Sequence, residues 1–120
     1  MNIGFIGSRS FNDKRSATKI INKLISKYKT FTCVSGGAKG ADSICESICR
    51  LKNIECLIFK PEWSKYGKSA GFIRNKSIVE NSDFVIAFWD LKSKGTKHSI
   101  DLCMQLNKPI FIINEYSNSA

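Results

Sequence analysis

The sequence predicts an α/β fold, and three observations carry the prediction. Five short apolar runs read as strands buried on both faces. Four stretches with apolar residues at three- and four-residue steps alternate with them as amphipathic helices. The joints between them are rich in Gly, Pro, Ser, Asn and Asp, as strand-to-helix turns require. Alternation of this kind implies βαβ units and a parallel sheet covered on both sides.

The elements follow in order. Asn2–Ile6 is a first strand, ended by Gly7. Asn12 or Asp13 caps a helix from Lys14 to Tyr28, whose Ala17, Ile20, Ile21, Leu24 and Ile25 share one face. A second strand spans Thr30 to Val34, and a second helix runs from about Lys39 to Leu51. Ile54 to Phe59 is a third strand, stopped at Pro61 because proline cannot continue a ladder. Glu62 to Ser69 has no periodicity and reads as a loop over a site, followed by a third helix from Ala70 to Glu80. Phe84–Phe88 is the clearest strand. A second loop, Trp89 to Lys94, leads to a fourth helix starting at Gly95-Thr96 and reaching Leu106, then a last strand from Pro109 to Ile113. The chain, residues 1–120, is expected to be one domain, with 114–120 a frayed polar tail. Right-handed crossovers complete a single Rossmann-like three-layer α/β/α sandwich with a parallel sheet of about five strands. With strand order 3-2-1-4-5, the loops Gly7–Phe11, Ser35–Asp42 and Trp89–Thr96 converge on one crevice between the first and fourth strands.

Composition narrows the function classes. At 120 residues the chain can bury one real core. It has no apolar run of the ~18–20 residues a membrane span needs, and no basic-then-apolar leader. A cytoplasmic location with no membrane partner is the expectation. Of the five cysteines, Cys45 and Cys49 could share a helix face, but His98 is the one histidine and no CxxC occurs. Free thiols acting as small hydrophobes are expected, with no metal site. The formal net charge of +9 fits polyanionic partners, although the charges are scattered.

Candidate chemistry concentrates at the turns. In Ser35-Gly36-Gly37-Ala38-Lys39-Gly40-Ala41-Asp42, three glycines within five positions let the backbone approach a ligand, and the following helix aims its N–H groups there. A tight turn that needs glycine explains the same pattern. Lys39 resembles a phosphate-binding lysine loosely, but the chain has no GxxxxGK[ST]. Arg9 can grip a phosphate with two parallel donors and Ser8 can add its hydroxyl, or both serve the turn. Asp42 either caps the second helix or bonds a ribose hydroxyl, and Gly95-Thr96 is either a second anion nest or an ordinary N-cap. Trp63, Tyr66 and Trp89 could stack on a base, at ~1–3 kcal/mol each, or close the rim of the core. His98 has no acid or nucleophile beside it in sequence, and no hydrolase signature is present.

Taken together, Gly7-Ser8-Arg9, Ser35 through Asp42, Ala70-Gly71-Phe72-Ile73-Arg74-Asn75, Ser82-Asp83 and Lys94-Gly95-Thr96 resemble the SLOG superfamily. Within it the chain looks most like the YspA-like branch, on Pro61-Glu62-Trp63 and Phe88-Trp89-Asp90. The resemblance implies a domain that binds a nucleotide or a nucleotide-derived ligand (NAD- or ADP-ribose-like) at its glycine turns, as a sensor or sequestering protein with no cofactor of its own. Carried over residue by residue, it implies a ligand site of Gly7, Ser8, Arg9, Ser35, Gly36, Gly37, Ala38, Lys39, Gly40, Asp42, Trp63, Arg74, Asn75, Trp89, Asp90, Gly95 and Thr96. Phosphoribohydrolase members use an arginine, matched by Arg74, and a glutamate after the Gly-Thr turn. Here Lys97, His98 and Ser99 follow and the first carboxylate is Asp101, so N-glycoside hydrolysis lacks its expected group. DNA-processing members carry a similar turn and bind single-stranded DNA, which with the basic charge makes single-stranded nucleic acid the rival partner. Homodimerisation is a further expectation from the same likeness.

Overall fold

The computed structural model describes residues 1–114. Five strands, β1 (Asn2–Gly7), β2 (Thr32–Ser35), β3 (Glu55–Ile58), β4 (Phe84–Trp89) and β5 (Ile110–Asn114), form one sheet in the order β3-β2-β1-β4-β5. All four pairings are parallel, with Ile3 opposite both Cys33 and Phe84. The helices are α1 (Lys14–Tyr28), α2 (Ala41–Leu51), α3 (Trp63–Tyr66), α4 (Ala70–Glu80) and α5 (Lys94–Gln105).

Side-chain alternation along the strands builds two cores, one per face. Ile3 and Phe5 of β1 join Phe84, Ile86 and Phe88 of β4 under α1 and α2, which contribute Ala17, Ile21, Cys45 and Cys49. Ile6, Val85 and Ala87 point the other way, against Ile78 and Val79 of α4 and Ile100 and Cys103 of α5. Burying the same strands on both faces is why they read as unbroken apolar runs. Phe88, fully buried and 4.6 Å from the Phe11 ring, ties the first loop to the sheet. Its truncation to alanine belongs to the class costing about 3–5 kcal/mol.

Several expected boundaries move. Glu62 to Ser69 is not an open loop: Trp63–Tyr66 forms one helical turn and Gly67–Ser69 a 3-10 turn running into α4. One turn is too short to show a 3.6-residue period. α2 begins at Ala41 rather than Lys39, because Gly40, with φ +88, is its N-cap. α5 begins at Lys94, capped by Ser93, whose Oγ accepts from the Thr96 N–H at 3.3 Å, so Thr96 is not the cap. Trp89 belongs to β4, and Asn114 is the last residue of β5, paired with it in register, rather than the start of a tail. Asp13, of the two candidates, caps α1, accepting the Ser16 N–H at 3.0 Å. The rest of the expected tail, 115–120, lies outside the described residues.

Candidate functional site

The chain turns back at β3 and crosses to β4, so the carboxyl ends of β1 and β4 diverge at the centre of the sheet. A cleft of about 580 Å³ opens there. Gly7, Arg9 and Ser10 line it from the first loop, Ala38 and Asp42 from the glycine turn, and Asp90, Ser93, Gly95 and Thr96 from the β4–α5 segment. The predicted convergence of three turns on one hollow is what the backbone does. A fourth wall stands where a loop over the site was expected, with Trp63, Arg74 and Asn75 among the expected residues and Lys68 and Phe72 added by the fold. Trp63, Lys68 and Phe72, with Arg74 and Asn75, come from α3, the 3-10 turn and α4.

The glycine turn is occupied by the chain's own carboxylates. Asp42 Oδ2 accepts the N–H groups of Gly36 and Ala38, each at 3.2 Å. Glu46 Oε2 accepts the Gly37 N–H at 3.1 Å and the Ser35 hydroxyl at 2.8 Å. Three amides expected to face a phosphate are thus engaged before any ligand arrives, and Asp42 pins the turn instead of capping α2. Asp42 is 6% exposed. Burial pushes its carboxyl up to about 6, with Glu46 adding to the rise and Ala38, Arg74 and Gly36 opposing it.

Arg74 is the cation the turn holds in return. Its Nη1 donates to the Gly36 carbonyl at 2.8 Å and its Nε to Asn75 Oδ1 at 3.0 Å. A Cβ on Gly36 would stand 2.5 Å from Nη1, so only glycine admits the guanidinium at this depth. Arg9 sits near enough to oppose the Arg74 charge. On the far wall, Asp90 Oδ1 accepts the Lys92 and Ser93 N–H groups at 2.9 and 2.7 Å, which holds its carboxyl below the usual range.

The remaining sequence candidates lie off the cleft. Ser8 is buried, donating to the Phe88 carbonyl at 3.4 Å and accepting the Asp90 N–H at 3.1 Å, so it braces two loops. Ser35 is fully buried on Glu46, and Gly37 and Lys39 are exposed outside the lining. Gly40 packs on the carbonyls of Ser8 and Arg9. Trp89 joins the second core and donates its Nε1–H to the Ser93 carbonyl at 3.1 Å. Trp63, by contrast, is 55% exposed at the mouth, beside Phe72 at 57%.

A parallel sheet in this order, with a cation-lined hollow at its switch point, defines a Rossmann-like α/β domain. The chain belongs to the YspA, cpYpsA-related SLOG family, whose profile matches residues 1–66, more than half of it. It is similar to the Gene 61 protein of Mycobacterium phage D29, with 28% identity over 111 residues, covering 87% of this chain and 89% of that one. Among solved structures it resembles DNA processing protein A from Helicobacter pylori, described for its single-stranded DNA binding mode, with TM-score 0.77 and 21% identity over 98% of this chain and 67% of that one. DNA processing protein A from Streptococcus pneumoniae superposes with TM-score 0.77 and 19% identity, over 92% of this chain and 49% of that one. The chain therefore spans about two thirds of the first and half of the second, and at these identities the likeness is one of fold. No helix among the described residues is long and apolar enough to cross a membrane.

Proposed function

We propose that this protein binds single-stranded nucleic acid through the cleft between β1 and β4. The observation that carries the reading is the convergence of Arg9, Lys68 and Arg74 with exposed Trp63 and Phe72 around one hollow. Cations beside unburied aromatic faces are what a strand needs: charge for the phosphates and a flat surface for a base. The fold shared with DNA processing protein A, and a single-stranded DNA binding mode described for its Helicobacter pylori member, support the same partner. So does the net charge of +9. Phosphates sit on the arginines and at the N-terminal turn of α5, and a base lies against Trp63. Fluorescence anisotropy with labelled oligothymidylate tests it. Binding should tolerate changes of sequence, weaken with salt, and fall about tenfold or more in Arg74→Ala, the loss of charge-assisted hydrogen bonds. No binding at low salt overturns it.

A second reading is favoured by the size of the hollow, since about 580 Å³ lies within the range of small-molecule sites. In it the protein senses or sequesters a free nucleotide-derived ligand of the NAD or ADP-ribose kind, on the same arginines. Calorimetry with those ligands separates the two, because heat with ADP-ribose and none with oligonucleotide reverses the order. Hydrolysis finds less support. Asp101, the first carboxylate after Gly95-Thr96, is held by Lys97 at 3.0 Å on an exposed face of α5. Asp42 and Asp90 in the cleft are engaged with backbone N–H groups. Release of free base from a nucleoside monophosphate, lost in Arg74→Ala, would be the sign of catalysis.

A further inference from the structure

His98 was isolated in the sequence, yet in the fold it ends a hydrogen-bonded chain that begins at the cleft. Its ring lies 4.4 Å from that of Phe72, and its Nδ1 is 3.2 Å from Asn75 Nδ2. Asn75 is 8% exposed and its other side-chain atom, Oδ1, accepts the Arg74 Nε–H at 3.0 Å. The proton inventory of this chain has one solution. A guanidinium has donors and no acceptor, so the amide must turn Oδ1 toward Arg74. That leaves Nδ2–H aimed at His98, whose Nδ1 must then accept, so the neutral ring carries its proton on Nε2. A permanent cation in the cleft dictates the tautomer of an imidazole on another helix.

We propose that His98 and Asn75 are positioning residues for Arg74, and that a proton on His98 Nδ1 and a fully seated Arg74 exclude one another. With Nδ1 protonated, two donors face each other across the 3.2 Å gap. Flipping the Asn75 amide relieves that pair but turns Nδ2–H onto the Arg74 Nε–H. Unflipped, the amide that holds Arg74 Nε is pushed from its place by the facing donors; flipped, that bond is lost and the arginine keeps only its grip on the Gly36 carbonyl. The coupling rests on the proposed use of Arg74 in binding only for its consequence. A ligand that needs Arg74 seated favours the neutral imidazole and weakens as His98 takes up its proton.

The surroundings agree in sign. Burial lowers the basicity of His98 from its ordinary value, and Asp101 on the same helix opposes this while being neutralised by Lys97. Asp42, whose carboxyl burial pushes up to about 6, acts on a bound anion in the opposite direction, because its protonation removes a negative charge from the cleft. Affinity measured against pH therefore superposes two effects, and the imidazole itself must be read.

His98 is the chain's one histidine, so its ring signals in a nitrogen-15 NMR titration of the whole protein are unambiguous. Without ligand, the wild type should show the Nε2–H tautomer. In Arg74→Lys, which keeps the charge but removes Nε, the amide is free to turn. The His98 midpoint should then move up toward the ordinary imidazole value and the Nδ1–H tautomer should appear. Asn75→Ala should raise the midpoint as well, and it guards against a failure of the lysine variant to fold. Saturating oligothymidylate should move the wild-type midpoint further down and leave that of Arg74→Lys in place. A wild-type ring in the Nδ1–H form, or a midpoint unmoved by both substitutions, overturns the proposal. Failure of the oligonucleotide to bind instead counts against the proposed function, since the coupling is read in the free protein.

Discussion

Asp42 does two things that oppose each other. Its Oδ2 closes the glycine turn by accepting two backbone N–H groups, while its burial disfavours the charge that makes it a good acceptor. Its folded value of about 6 lies above the ordinary 3.8, so between these limits the folded state binds a proton that the unfolded chain does not. The cost of the buried charge is thus fully present above about pH 6 and is relieved as pH falls toward the unfolded value. His98, lowered on folding, contributes the opposite slope, so the wild type alone does not isolate Asp42. Asp42→Asn does, since an amide oxygen can still accept in the turn but does not titrate. In urea unfolding, wild-type stability relative to Asp42→Asn should rise by about 1–2 kcal/mol as pH falls from roughly 7 to 5. A gap that stays constant over that interval would show that the carboxyl is ionised throughout.

Among the elements, the joint between the first loop and α2 is the least forgiving. Gly40 has φ +88, and a Cβ there would lie 2.5 Å from the carbonyl oxygens of both Ser8 and Arg9. Gly40→Ala should therefore cost about 3 kcal/mol or more by thermal denaturation, combining backbone strain with a collision that only backbone movement relieves. Gly95, in the first turn of α5, has nothing within 4 Å of its Cβ position and lines the cleft. Gly95→Ala should stabilise the fold by up to about 1 kcal/mol through helix propensity. If the α5 N-terminus seats a phosphate, the same change should weaken oligonucleotide binding, and higher stability with unaltered affinity would remove that turn from the site. The elements were legible where one segment carries its own signal: the apolar runs of β1 and β4, and Gly7 at the end of the first. What was hidden depends on pairs distant in sequence. The occupation of the glycine turn needs Glu46, nine residues beyond Gly37, and the isolation of His98 ends only when α5 packs on α4, bringing Asn75 from 23 residues away. Lys68 escaped because a single helical turn and a 3-10 turn leave no periodicity to read.

The whole molecule carries +9, and among the described residues one ion pair is formed, Lys97 with Asp101. Most cations therefore remain free to attract a polyanion from any direction. Two ways of using that charge are distinguishable. If a strand merely spreads over the lysine-bearing helices, many phosphates are neutralised and the salt dependence is steep. If the strand is seated at the switch point, three cations, Arg9, Lys68 and Arg74, do most of the neutralising. Each neutralised phosphate on a single strand contributes about −0.7 to the slope of log K against log salt, so the seated arrangement gives a slope of about −2. Arg9→Ala should bring it to about −1.4. Substituting Lys19 or Lys23, on α1 across the sheet from α4 and α5, should leave it unchanged. A slope near about −6, lowered equally by substitutions on α1, would mean that the basic surface as a whole binds the strand and that the cleft has no special claim on it.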